Sequence, residues 1–256
     1  MKYTVTADTD TGISKHTNED SVLVKHAVYD GKEIVMAVLC DGMGGLSKGE
    51  LASATVIRAF LTWFDQKLPY EIKTISMQKV AEVWSQMLKE LNCKIGRFGE
   101  KTHISLGTTC TAAFFYGDEY AVTHIGDTRF YVLGSEVRQL TTDQTYIARE
   151  ISRGTMTPAE AKTDKRRNML LQCVGASSKI LPEVLTGIVK PGAYLLCSDG
   201  FRHQISEKEI YDSLNPINLF NKDAMHSNIR YLMETVKERQ ERDNISAVLI
   251  KTEQEE

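Results

Sequence analysis

The chain has 256 residues, 42% of them hydrophobic and 25% charged, with a formal net charge of −3. That is enough apolar material for one large core and too ordinary a charge content for wholesale disorder. The slightly negative balance removes any electrostatic drive toward nucleic acid or an anionic membrane surface.

Taken in chain order, "KYTVTAD" and "SVLVKHAVY" read as strands, and Asp30-Gly31 marks a hairpin into "EIVMAVLC". Ser47 and Glu50 form the S-x-x-E of a capping box, opening a helix whose apolar face holds Ala52, Val56, Phe60 and Phe64. A second helix is periodic through Met77, Val80, Ala81, Trp84, Met87, Leu88 and Leu91 and is expected to stop before Gly96. "GTTCTAAFFYGDEYAVTHIGDTRFYVLGSEVRQL" reads as a meander with turns at Gly117-Asp118 and Gly134-Ser135. A mixed polar segment follows from about 142 to 180, containing a capping box at Thr157 to Glu160 with Pro158 at the first helical position. "GAYLLCSDG" and "NISAVLIK" supply two late strands, and Met225, Ile229, Leu232, Met233 and Val236 lie on one face of a late helix.

Helices come in pairs instead of after every strand, which predicts an α+β fold. Two antiparallel β-sheets flanked by helix pairs, a four-layer αββα sandwich, would use every apolar face. With no repeat or linker, 1–256 reads as a single domain. No apolar run approaches a membrane span, and the polar start "MKYTVTADTD" lacks a signal peptide's apolar centre. The five cysteines include no C-x-x-C pair, and Cys40, Cys110 and Cys197 fall in strand-like runs as small hydrophobes. These features predict a cytoplasmic protein.

Acids recur where apolar strands begin or end. Glu19-Asp20 precedes "SVLVKHAVY", Asp41 follows "VMAVLC", Asp127 follows "YAVTHIG", Asp199 follows "YLLCS", and Asp243-Asn244 precedes "ISAVLIK". Any one of them is explained as a turn or cap residue. Together they predict a cluster at one sandwich rim, where carboxylates repel unless a hard cation sits among them. Oxygen donors without a nearby His-x-x-His or Cys pair favour magnesium or manganese over structural zinc. The glycine after Asp41 would let a backbone carbonyl approach the same ion.

The motifs "GISKHTNED", "VLCDGMGG", "LGTTCTAAFF", "HIGDTRFYVL", "LTTDQ", "LLQCVGA", "YLLCSDGF" and "RDNISAVLI" stand in the order and spacing of the metal-dependent serine/threonine phosphatases. The chain resembles that family, protein phosphatase 2C, from about residue 5 to residue 250, and its compact form is similar to the bacterial branch. The resemblance implies a catalytic domain with a two-metal centre at one rim and a flap-like segment at about 142–180. Two Mn2+ or Mg2+ ions about 4 Å apart would generate a bridging hydroxide that attacks phosphoserine or phosphothreonine in line, without a phosphoenzyme. It implies that Asp41 bridges the ions, that the Gly42 carbonyl completes one, and that Asp199 and Asp243 ligate the other. Asp20 would hold metal-bound waters, with Glu19 a weaker candidate, and Asp127 with Asp199 would line a third, weaker metal position. Asp41, Asp199 and Asp243 are thus the expected catalytic set. The implied partners are phosphoproteins, among them a cognate serine/threonine kinase, acted on by a monomer.

Some positions depart from the family pattern. Lys15 stands where the family places the arginine that grips the phosphate; it keeps the charge without the planar fork. His203 replaces a second Asp that many eukaryotic members carry, and Gln144 replaces a common histidine. Lys165, Arg166 and Arg167 form a charge run that, facing the cleft, would attract acidic phosphopeptides; as a solvated run it needs no function. Two other functions fit the same residues. One is a catalytically weak or silent relative that binds phosphoproteins. The other is a metallohydrolase of another phosphoester such as a nucleotide, although no G-x-x-x-x-G-K-[ST] is present.

Overall fold

In the computed structural model, which describes residues 1–43 and 48–254, the chain opens with β1 (Lys2–Asp10), β2 (Ser21–Tyr29) and β3 (Lys32–Cys40). Helices α1 (Gly49–Gln66), α2 (Leu68–Glu71) and α3 (Met77–Thr102) lead into β4 (Cys110–Tyr116), β5 (Glu119–Ile125), β6 (Arg129–Leu133) and β7 (Val137–Gln139). After α4 (Tyr146–Ser152) and α5 (Pro158–Ala161) come β8 (Glu183–Ile188) and β9 (Gly192–Cys197). Helices α6 (Asp199–Arg202), α7 (Glu207–Leu214) and α8 (Lys222–Glu238) precede β10 (Ile245–Glu253). One sheet runs β1-β10-β9-β6-β7 and the other β2-β3-β4-β5-β8, with every strand pair antiparallel.

The apolar runs are continuous because the inner strands bury both faces. In β3, Val35, Ala37 and Leu39 meet Phe115, Tyr194 and Val248 between the sheets. The alternate residues Met36, Val38 and Cys40 pack outward in one core with Val56 and Phe60 of α1 and Trp84 of α3. On the far side, Leu195, Cys197 and Leu249 share a core with Ile210 of α7 and Ile229, Leu232 and Met233 of α8. Helices, sheet, sheet and helices are therefore separated by three cores, as the pairing of helices predicted. Trp84 locks the first of these, with edge contacts to Phe60 at 5.0 Å and Trp63 at 5.2 Å. Its truncation to alanine would cost about 3–5 kcal/mol. Cys40, Cys110 and Cys197 are buried free thiols. Among the described residues no helix is long and apolar enough to cross a membrane.

Some elements differ from the sequence reading. Helix α3 runs through Gly96 to Thr102, and ends where His103 turns left-handed at φ 55°. A Cβ at Gly99 would lie 2.6 Å from the Ile104 carbonyl oxygen, and one at Gly96 3.2 Å from that of Gly175. These glycines allow close packing and do not end the helix. The expected meander is two hairpins in different sheets: β4-β5 pair in one, β6-β7 in the other, and the chain crosses at Gly126 to Thr128. That crossing leaves Asp127 at the rim between the sheets. The capping box at Thr157 and Glu160 forms, and so does one at Ser206 and Glu209 that opens α7, an element not anticipated. The box expected at Ser47 lies outside the described residues; α1 is described from Gly49.

Candidate functional site

Strand β3 delivers Asp41 to the rim, and threonines hold its backbone in place. Asp41 N donates to Thr109 Oγ1 at 2.9 Å, while its carbonyl accepts from Thr109 N and Thr108 Oγ1, each at 2.9 Å. The next residue, Gly42, donates to the Glu19 carbonyl at 3.2 Å. A Cβ on Gly42 would stand 2.5 Å from the Gly49 carbonyl oxygen and 2.6 Å from that of Glu19. Only glycine fits there, so Glu19, just before β2, and Gly49, the first residue of α1, press directly on the site floor. Glu19 itself is occupied with that packing: its Oε1 accepts from Gly49 N at 3.2 Å, capping the start of α1.

The other acids arrive from the opposite sheet. Asp199 opens α6 directly after β9, and the following Gly200 rests on the Asn244 carbonyl, where no side chain fits. Asp243 precedes β10 and donates its N–H to Glu241 Oε1 at 3.0 Å. Asn244 ties the segments together by donating to the Thr11 and Thr17 carbonyls at 2.9 and 3.2 Å and accepting from Glu19 N at 2.9 Å. The sequence offered Asn244 only as a turn residue; its clamping role depends on three distant segments meeting.

A pocket of about 120 Å³ collects Lys15, Asp41, Gly42, Asp127, Asp199 and Asp243 in its lining. Asp20 is buried next to it, and burial with the charges of Asp199 and Asp243 pushes its carboxyl up to about 7. Burial raises Asp41 well above the carboxylate range, reinforced by Asp20, Asp199, Asp127 and Asp243. Asp127 is pushed up to about 7 by burial and Asp199, against the pull of Arg202. Both carboxylate oxygens of Asp20 and Oδ1 of Asp199 are buried without a hydrogen-bond partner among the described residues. Lys15 is the cation of the pocket lining, with Nζ 3.1 Å from Asp243 Oδ1 and 3.7 Å from Glu19 Oε2. Burial opposes its charge, but Asp243, Glu19 and Asp41 hold its pKa above the usual value.

Buried, mutually repelling carboxylates beside the Gly42 carbonyl fit hard divalent cations. Among the described residues no three His, Cys, Asp or Glu side chains form a ready-made ion cage.

Beside this pocket stands a paired cluster that the sequence reading missed. Arg129 grips Asp143 with two bonds, Nε to Oδ1 at 2.8 Å and Nη2 to Oδ2 at 2.7 Å. Arg202 donates to the Asp127 carbonyl at 3.1 Å and lies 3.8 Å from Asp127 Oδ2 and 3.7 Å from Asp143 Oδ2. A guanidinium therefore already stands against the acid expected to line a third metal position. Its signal was available: Arg202 lies one helical turn after Asp199. His203 sits 3.7 Å from Asp199 and 3.8 Å from Glu241, beyond hydrogen-bond reach of either. Gln144 braces the crossing by accepting from Gly126 N at 2.9 Å. In the flap segment, Arg166 is turned onto Asp164 and the ring of Tyr146, whereas Arg167 lines a wider cleft next to the pocket.

The sequence pattern of the family described as Protein phosphatase 2C matches residues 13–250. Protein phosphatase PhpP of Streptococcus pneumoniae is 31% identical over 208 residues, covering 80% of this chain and 81% of that one. Among solved structures, serine/threonine phosphatase Stp1 from Staphylococcus aureus superposes with a TM-score of 0.85 at 25% identity, covering 99% of this chain and 96% of that one. The catalytic domain of PstP, a serine/threonine protein phosphatase of Mycobacterium tuberculosis, solved with two manganese ions, superposes with a TM-score of 0.76 at 26% identity, covering 97% of both chains.

Proposed function

This chain belongs to the protein phosphatase 2C family, and from that premise we propose that it is a divalent-metal-dependent phosphatase of phosphoserine and phosphothreonine in proteins. The observation that carries the reading is the convergence of Asp20, Asp41, Asp127, Asp199 and Asp243 on one rim, where Asp20, Asp41 and Asp127 are each raised by burial and by the charge of Asp199. Asp41 lies at the centre of that repulsion and, with the Gly42 carbonyl beside it, would be a principal holder of the metal. Asp199 and Asp243 would hold one ion from the opposite sheet, and Asp20 would order water from beneath. The chemistry that bound Mn2+ or Mg2+ supplies is acidification of water and neutralisation of phosphoryl charge.

The chain's own residues set the geometry of that reaction. The two threonines and the glycine pair fix Asp41 through its backbone, so its carboxylate cannot relax away from its neighbours. Lys15, held in its charged form by Asp243 and Glu19, is placed to exchange those carboxylates for a phosphate oxygen. A single ammonium grips without the planar fork of arginine, so the ester must be oriented chiefly by the pocket walls. Phosphoproteins are the substrates, an opposing serine/threonine kinase among them.

The test is hydrolysis of p-nitrophenyl phosphate and of a phosphothreonine peptide with and without Mn2+. Turnover should require the metal, stop with a chelator and vanish in Asp199→Asn. Full activity in metal-free protein would remove the reading.

A further inference from the structure

The small pocket opens into a cleft of about 730 Å³, and the two share Lys15, Asp127, Asn168 and Asp243. Their charges are opposite. The pocket lining sets four carboxylates against one lysine, whereas the cleft lining holds six cations, Lys15, Arg129, Lys162, Arg167, Arg202 and Arg242, against four acids. This concentration of positive charge occurs in a chain whose formal net charge is −3.

The acids of the cleft are already engaged. Asp143 is held by Arg129, Asp127 faces Arg202, and Asp243 pairs with Lys15. Glu241 accepts from the backbone N–H groups of Arg242 and Asp243 at 2.7 and 3.0 Å. Lys162, Arg167 and Arg242, by contrast, make no ion pair and no side-chain hydrogen bond among the described residues. Two of them come from the flap-like segment and one from the loop before β10. The sequence-adjacent Arg166 shows that a paired alternative exists: it is tied to Asp164 Oδ2 at 2.7 Å and stacks 4.2 Å from the Tyr146 ring. Arg167 is left facing the cleft instead.

We propose that Lys162, Arg167 and Arg242 form a second anion subsite, which selects phosphopeptides carrying an acidic group close to the phosphate to be removed. The group is an Asp or Glu side chain or a second phosphate, both of which present oxygen anions to unpaired cations. The proposal rests on the phosphatase reading and deepens it. The pocket receives the scissile phosphate, and the cleft receives what flanks it. Such contacts are partly solvated, so the preference should be about tenfold, expressed mainly in KM, and should fade as ionic strength rises.

The experiment uses the full chain at saturating Mn2+ and one phosphothreonine peptide in four versions: neutral flanks, Glu flanks, a neighbouring second phosphothreonine, and Lys flanks. The acidic and doubly phosphorylated versions should have kcat/KM about tenfold above the neutral one, with the Lys version below it. A gain for both anionic versions describes a general anion site; a gain for the second phosphate alone describes a phosphate site. The double variant Lys162→Ala with Arg167→Ala should erase the preference while p-nitrophenyl phosphate, which has no flanks, is hydrolysed as before. Arg167→Glu should invert it. Equal kcat/KM for the versions, or a preference that survives the double variant, overturns the subsite. Loss of all metal-dependent turnover strikes the phosphatase reading instead. In that case, fluorescence anisotropy of the same peptides on the wild type and the double variant still decides the subsite.

Discussion

The Arg129-Asp143-Arg202 cluster and the pocket around Asp41 meet at Asp127, and burial pushes the acids of both upward, but their partners carry them in opposite directions. Burial raises the pKa of Asp143, but Arg129 and Arg202 overcome it and hold that carboxyl below its ordinary value. Asp41, buried among like charges, is driven the other way. Both clusters sit at one rim of the same sandwich, so the difference is not depth but partners. A buried charge is tolerated where its partner is built into the chain, and is left in conflict where the partner must come from solution. The paired cluster anchors the crossing between the sheets, and the unpaired one is the part proposed to hold metal.

The largest effect should come from removing the conflict at its centre. Asp41→Asn is expected to lower metal-dependent hydrolysis of p-nitrophenyl phosphate by about three orders of magnitude. The same change should raise the melting temperature of the metal-free protein, since it deletes a repelled charge. Near-normal turnover in that variant would mean that the pocket is not the reaction centre. The converse change tests the other cluster: Asp143→Asn leaves two largely buried guanidinium groups short of a partner and should cost about 3–5 kcal/mol of stability, read by urea unfolding, with or without metal.

A smaller effect separates the clusters by pH. Asp20 and Asp127, raised to about 7, stay protonated in the folded metal-free protein where the unfolded chain has released those protons. Their contribution to stability is complete below about pH 4 and is lost as pH rises toward 7. Asp20→Asn should recover on the order of 1–3 kcal/mol at pH 7 and almost nothing at pH 4, when unfolding is followed without metal. Added Mn2+ should stabilise the wild type increasingly with pH, because it favours the ionised acids. Asp143 contributes with the opposite sign: its depressed pKa gives stability present above the unfolded value and lost in acid. Lys15→Arg should change least, lowering KM for a phosphothreonine peptide by about threefold at constant kcat, because the charge is already there and only the fork is added.

Much of this arrangement was legible before any coordinates. The runs ending at Cys40 and Cys197 announced strands buried on both faces, and acids at their ends announced a shared rim. What could not be read was anything that depends on which segments meet. Gly96 looks like a helix stop because a glycine weakens a helix; its tight fit against Gly175 belongs to the tertiary structure. The stretch 107–140 looks like one meander because local turn signals are identical whether the next strand joins the same sheet or the opposite one. Glu19 reads in the sequence only as the weaker candidate beside Asp20 for holding metal-bound water; that its Oε1 accepts from Gly49 N at the start of α1 depends on a residue remote in sequence. Asn244 was passed over for the same reason; Arg202 could be placed near the rim from its spacing to Asp199, but its partners Asp127 and Asp143 are remote in sequence.

The floor beneath Asp41 is made of main chain pressed on main chain, with Gly42 against Gly49 and Glu19. Saturation libraries at positions 42 and 49 should return glycine almost alone, whatever substrate is used for selection. The flap-like segment carries no such constraint at Lys162 or Arg167, both of which are exposed. On the proposed reading, a change of substrate preference has an open route through the wall of the cleft, while the glycine floor below it stays fixed from one variant to the next.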